Sequence, residues 1–212
     1  MKINLLISTL ATKRDAAYME RQLTCLQSWH DYAWRVCCLN PRADLKDLKH
    51  VESVEPIEAH PTLAQFIQVA AKGRGLADED TVGIINADVG LQGSLDKLDH
   101  FTRKRQIFRA YAASSQRIEG EAVVPWAYDL FIATKKVWKE IINVPAYLKL
   151  GEPMWDIWLN GYFNKHVADP RYIDLTSLGI VNHVEHEKGR EIDPGMNTVE
   201  VTSWGPPAQK LH

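Results

Sequence analysis

Short apolar runs alternate with stretches of helical spacing through the first ninety or so residues, and this alternation constrains the fold more than any other feature. "INLLIS" (3–8) reads as a buried strand by its unbroken apolar character and β-branched content. "AWRVCCLN" (33–40) is a second strand, stopped by Pro41, "HVESVEPI" (50–57) a weaker third and "DTVGIIN" (80–86) a fourth. Between them, "RDAAYMERQLTCLQSW" (14–29) carries Ala17, Leu23 and Leu26 at helical spacing. "PRADLKDLKH" (41–50) opens on a proline that costs nothing at a first helical position. "PTLAQFIQVAAKGRG" (61–75) begins at Pro61 and stops at Gly73 or Gly75. Such alternation predicts an α/β fold: a mainly parallel central sheet flanked by helices.

The second half is less regular. "RQIFRAYA" (105–112) and "YDLFIAT" (128–134) read as strands, the latter running into a short helix, "KKVWKEII" (135–142). "GEPMWDIWLNGYFNKH" (151–166) reads as a helix with Pro153 in its first turn, and "LGIVNHVEHEKGR" (178–190) as a strand entering a polar segment. We expect one domain over 1–190, with 191–212, rich in Gly and Pro, as a tail over the surface.

The composition excludes little but usefully. A formal charge of −2 and a pI near 6.4 argue against a broadly basic nucleic-acid surface, although "FTRKRQIFR" (101–109) is a local basic run, or simply a solvated helix end. Cys25, Cys37 and Cys38 are an odd, partly adjacent set, a poor disulfide framework that points to a reducing compartment. No apolar run approaches the roughly 20 residues of a membrane span, and the N-terminus has no signal-peptide pattern, so a cytoplasmic protein is expected.

In open α/β sheets ligands bind beyond the carboxyl ends of the strands. Two such ends stand out, Ser8-Thr9 and Asn86-Ala87-Asp88, and neither opens a dinucleotide or Walker-type glycine loop. Asp88 has two readings: a turn residue beside Asn86 and Gly90, or an oxygen ligand for a divalent cation. Asp156 is the only charged residue between Pro153 and Asn164. The helical stripe of Met154, Ile157, Trp158, Gly161 and Tyr162 should face the core, with Asn160 and Asn164 one and two turns along the Asp156 side. A carboxylate losing water beside Trp155 gains proton affinity and suits a general base; the competing reading is a first-turn Asp compensating the helix dipole. Glu152 is the rival carboxylate. His183 and His186 are either structural or metal ligands, and a mixed oxygen–nitrogen site would suit Mn²⁺ better than Mg²⁺.

In order, a first strand with Thr9, "NADVGL", "YDLFIATKKVW", "GEPMWDIWL" and a late "NHVEH" resemble the GT-A-fold glycosyltransferases that use nucleotide sugars, particularly small bacterial and phage-type members. The resemblance spans most of residues 1–187. It implies a nucleotide-binding half over 1–90 and an acceptor half over 91–190. It implies a divalent metal, Mn²⁺ or Mg²⁺, and a nucleotide-diphosphate sugar as donor. The group's Asp-x-Asp motif reads Asn86-Ala87-Asp88 here, with the first Asp missing, so Asn86 and Asp88 fall at the nucleotide and metal site. His183, with His186 as the alternative, falls where a late His completes the metal site, and Asp156 where a base serves the acceptor. Thr9 and Arg14 fall at the nucleotide, and Trp126, Asp129 and Trp155 at the sugar and acceptor. The acceptor implied is a glycan precursor or a hydroxylated base in phage-type DNA, for which Arg103, Lys104, Arg105 and Arg109 would form the basic rim. A non-catalytic nucleotide-binding module and a metal-dependent nucleotidyltransferase remain the alternatives.

Overall fold

The computed structural model describes residues 2–10, 16–43, 54–93, 110–113, 128–150, 154–166, 172–183 and 209–210. Ten strands and four α-helices are defined there: β1 (Leu5–Ser8), α1 (Ala16–Tyr32), β2 (Val36–Pro41), β3 (Val54–Ile57), α2 (Leu63–Lys72), β4 (Thr81–Ile85), β5 (Val89–Leu91), β6 (Ala110–Ala113), β7 (Leu130–Thr134), α3 (Lys135–Glu140), α4 (Trp155–His166), β8 (Tyr172–Asp174), β9 (Val181–His183) and β10 (Gln209–Lys210). Eight strands form one sheet in the order β10-β8-β6-β7-β4-β1-β2-β3, and β5 pairs with β9 in a separate two-stranded ribbon. β7 runs antiparallel to both neighbours, and the other pairings in the large sheet are parallel. The expected mainly parallel α/β sheet is what the chain forms.

β1 lies inside the sheet between β4 and β2, and all four of its residues are buried, as a parallel strand covered on both faces must be. Alternate side chains feed two cores. Leu5 and Ile7 join α2, α3 and α4 on one face, through Phe66, Trp138, Trp155 and Phe163. Leu6 joins Cys25, Leu26 and Trp29 of α1, with Val89, Leu91 and Val181 of the ribbon, on the other. Gly83 in β4 is required by this packing, since a Cβ there would stand 2.8 Å from Cδ1 of Leu6. α2 closes where its sequence predicts, at Gly73 with a φ of 35°, and opens one residue past the expected Pro61, on a capping box of Thr62 and Gln65.

Some elements differ from expectation. In α1, Leu23 is 39% exposed and Gln22 is buried, because the ribbon and sheet take the face of Gln22, Cys25, Leu26 and Trp29. α4 begins at Trp155 after Met154, whose φ of 83° is a left-handed conformation rare for its type. Its buried surface is wider than one stripe, since Trp155, Leu159, Asn160 and Phe163 are buried beside Trp158 and Tyr162. Pro41 closes β2, Arg42 and Ala43 enter a 3-10 turn directly after it, and 44–53 lie outside the described residues. Of the strand expected over 105–112, Ala110–Ala113 is described. Within the expected tail, Gln209 and Lys210 pair in parallel with β8 at the sheet edge. All three cysteines are free and buried. Among the described residues no helix is long and apolar enough to cross a membrane.

Candidate active site

The carboxyl ends of β1, β2, β4 and β8 and the start of antiparallel β7 all lie along one edge of the sheet. The polar residues that end those strands meet there. β1 exits through Ser8 and Thr9, both buried; Ser8 Oγ donates to the carbonyl of Ile85 at 2.7 Å, tying the ends of β1 and β4 together. Asn40, near the end of β2, clamps Leu10, the residue after Thr9, twice: its Oδ1 accepts from Leu10 N at 3.2 Å and its Nδ2 donates to Leu10 O at 2.7 Å.

β4 ends at a turn in which Val89 N donates to Asn86 O at 3.4 Å. Asn86 binds across to the start of β7, its backbone N–H donating to Asp129 O at 3.0 Å and its Nδ2 to Asp129 Oδ1 at 3.3 Å. Asp88 occupies the turn and is half-buried. Burial, and secondarily the charge of Asp88, push the Cys25 thiol of α1 up to about 12. In the ribbon, His183 stands opposite Val89 in the antiparallel register, so the backbone brings the position of His183 beside that of Asp88.

Asp156 opens α4 on the other side of this edge. The residue keeps part of its surface open, yet its carboxyl lies in dense protein. Its proton affinity is pushed up to about 7, first by loss of hydration and then by the negative charge of Asp129, against backbone hydrogen bonds from Ile157, Tyr128 and its own N–H. Tyr128 is itself anchored: its hydroxyl donates to Asp174 Oδ2 at 3.2 Å, while Asp174 Oδ1 accepts from Thr176 N at 2.8 Å. Burial, then the charge of Asp174, hold the Tyr128 phenol well above its usual range. Further along α4, Asn160 Oδ1 accepts from the Tyr172 hydroxyl at 2.7 Å and from Asn164 at 3.1 Å. The polar side anticipated for α4 is therefore real.

The structure thus links Asp156, Asp129, Asn86 and the Asp88 turn into one polar run crossing the sheet edge. Trp155 does not join it as an open ring for a sugar. It is 2% exposed and stands edge-on to Phe131 with centroids 5.6 Å apart, because the first turn of α4 packs its aromatic side into the core. Arg14, Trp126, His186, Glu152 and the basic set from Arg103 to Arg109 lie outside the described residues. Asn40 and Asp174 are not singled out by the sequence, whereas Tyr128 is, beside Trp126 and Asp129 in "PWAYDLF". The same strand-end rule that selected Asp88 would have found Asn40 in "CCLNP" and Asp174 in "YIDL".

No three or more His, Cys, Asp and Glu side chains gather into a metal-holding group among the described residues. The Asp88 carboxylate at this turn suits a cation whose shell is completed by substrate phosphates rather than by an all-protein cage.

No protein-family model matches the chain, and no curated protein matches it. Solved structures do. One is a 4-diphosphocytidyl-2C-methyl-D-erythritol synthase from Anaerococcus prevotii, with a TM-score of 0.51 and 11% identity, covering 82% of this chain and 88% of that one. Another is a cytidylyltransferase from Leptospira borgpetersenii, with a TM-score of 0.51 and 15% identity, covering 83% and 76%. The fold is nucleotidyltransferase-like. A glycosyltransferase, GlyE of Streptococcus pneumoniae, matches at 14% identity over 66% of this chain and 36% of that one, with a TM-score of only 0.37. At such identities the nucleotidyltransferase-like likeness concerns the path of the chain, and the chemistry has to be argued from the edge residues themselves.

Proposed function

We infer that the protein is a transferase of nucleotide-activated sugars, moving a glycosyl group from a nucleotide-diphosphate sugar to an acceptor hydroxyl. The observation that carries this reading is Asp156: a carboxyl at the ligand-binding edge whose proton affinity is raised to about 7 is matched to taking a proton near neutral pH. Asp156 removes the acceptor proton as the oxygen attacks the anomeric carbon, and the bond to the diphosphate breaks. Attack from the face opposite the leaving group gives inversion. Asp129 sets the affinity of the base through its charge and is oriented by Asn86, and on the sugar side it accepts from a hydroxyl. Thr9, held by the Asn40 clamp on Leu10, together with Arg14, borders the nucleotide. A divalent cation, Mn²⁺ or Mg²⁺, held by Asp88 and His183 would supply neutralisation of the charge gathering on the departing diphosphate. The acceptor is a glycan precursor or a hydroxylated base in DNA.

A second reading, nucleotidyl transfer, is favoured by the names of the two structures at a TM-score of 0.51. Against it, the sequence after β1, "TLATKR", has no glycine for a tight phosphate loop. One experiment separates the two. Wild type, Asp88→Ala and Asp156→Asn are incubated with a panel of nucleotide sugars, and separately with nucleoside triphosphates plus sugar phosphates, with Mn²⁺ and with chelator. Nucleoside diphosphate released from a sugar donor, dependent on Asp88 and Asp156, is the expected result. Pyrophosphate released from a triphosphate transfers the assignment to nucleotidyl transfer, and no turnover of any donor that binds reduces the protein to a binding module.

A further inference from the structure

Among the described residues two buried polar side-chain atoms have no hydrogen-bond partner, Nε of Arg21 and Oδ1 of Asn86. A buried donor or acceptor left unpaired costs free energy, so each such atom in a native fold calls for a reason. Arg21 is half-buried in the second turn of α1, with its guanidinium carbon 5.5 Å from the centre of the Tyr18 ring. Stacking on that ring restrains the guanidinium without using any of its five N–H donors.

The level of Arg21 relative to the edge follows from how α1 runs beside β5. The Tyr32 hydroxyl donates to Gly93 O at 2.7 Å, Leu91 N donates to Ser28 Oγ at 2.9 Å, and Trp29 Nε1 donates to Val89 O at 2.7 Å. One turn earlier, the Cys25 thiol senses the charge of Asp88. Moving back along α1 from 32 to 25 therefore moves back along the strand from 93 to 88. Arg21 lies one further turn back from Cys25 on the same side of α1, toward the helix end nearest the Asn86–Asp88 turn.

We propose that Arg21 is an anion-binding residue, its guanidinium, restrained by Tyr18, taking a phosphate oxygen of the ligand bound at the Asn86–Asp88 turn. The fork of N–H groups suits a phosphate. The ligand class, a phosphoryl or diphosphoryl compound, rests on the nucleotide-sugar reading above. The residue's part in holding it does not depend on which transfer follows.

The test uses the full chain and inorganic pyrophosphate, titrated calorimetrically with Mg²⁺ and with chelator. In parallel, the Arg21 side-chain Nε–H resonance is followed in ¹⁵N-labelled wild type, assigned by its loss in Arg21→Lys. Saturable binding that shifts this resonance, weakens about tenfold or more in Arg21→Gln and weakens less in Arg21→Lys is expected. Tyr18→Leu, which leaves the guanidinium but removes its restraint, should weaken binding several-fold. Pyrophosphate that binds Arg21→Gln as tightly as wild type, an unmoved Nε resonance at saturation, or no saturable binding under either condition overturns the proposal. Should Arg21→Gln fail to fold, the wild-type resonance alone decides. Sugar transfer with an unmoved Arg21 resonance would defeat this proposal and leave the function standing. A shifted resonance without any turnover of nucleotide sugars would do the reverse.

Discussion

Asp156→Asn is expected to abolish activity and yet to stabilise the protein at alkaline pH. Folding moves this carboxyl from an ordinary value of 3.8 to about 7. At 1.36 kcal/mol for each tenfold change in proton affinity, ionising it in the folded chain costs about 4 kcal/mol more than in the unfolded chain. Its remaining exposure lets water screen part of that, so about 2–4 kcal/mol is the working range. The folded state binds the proton more tightly. The stabilising contribution of the protonated form is therefore complete below about pH 4, is lost as pH rises through about 7, and stays lost above it. Asparagine keeps the shape and one accepting oxygen for the N–H groups of Ile157 and Tyr128, but its amide N–H₂ needs partners, which returns about 1 kcal/mol. The variant should exceed wild type by about 1–3 kcal/mol at pH 8, with the gap closing toward pH 4.5. Urea unfolding of both proteins at several pH values between 4.5 and 8.5 measures it, and contributions from all other titrating groups cancel in the difference. A gap that stays constant across that range would refute the claim that Asp156 is held protonated by its surroundings.

Tyr128→Phe removes the hydroxyl that anchors Asp174 while leaving the Tyr128 backbone N–H that reaches Asp156. It should cost about 1–3 kcal/mol, because a buried carboxylate oxygen loses its donor, and should move the pH midpoint of kcat without moving donor KM. Unchanged stability would mean the pair is not closed in solution. Gly83→Ala places a methyl 2.8 Å from Leu6 Cδ1 and 3.4 Å from the Phe131 carbonyl, so a loss of about 1–3 kcal/mol is expected by thermal or urea unfolding. No loss would show that β1 and β4 can separate at little cost. Asn40→Ala removes both hydrogen bonds to Leu10 and should weaken donor binding by calorimetry while lowering stability by about 1–2 kcal/mol. Donor affinity left intact would exclude the β1 exit from the nucleotide site.

The strands were legible where burial on both faces makes the whole run apolar, as in β1 and β4. The helices were legible where a proline or glycine marks an end, as at Pro61, next to the Thr62 cap, and at Gly73. The facing of α1 was not, because it is set by a partner formed 60 residues later. Trp29 reaches Val89 and Ser28 reaches Leu91, which turns Gln22 inward and Leu23 outward against their hydrophobicity. α4 misled for a related reason: with nearly all of its girth buried, a single apolar stripe no longer distinguishes its sides, and Trp155 went to the core. Asp88 and Asp156 could be picked out one at a time by position in a strand or helix. Their connection through Asn86 and Asp129 could not, since it joins the residue after β4 to one 43 positions away, just before a strand running the opposite way.

That connection also bears on why so many polar groups can be buried along one edge. Ser8, Asn40 and Asp174 each end or flank a strand and each is paired, mostly to backbone, so they close the exposed end of the sheet at little net cost. Their pairing leaves the edge rigid. Against it stand the departures gathered around α4, β4 and α1: a carboxyl with proton affinity near 7, a left-handed Met154, and unpaired atoms on Asn86 and Arg21. Each is unfavourable for folding alone, and such a group kept in a native fold calls for a functional reason. An acceptor hydroxyl at the edge would supply one, giving Asp156 a proton to take. The cost to the fold and the capacity for chemistry are, on this view, the same set of atoms.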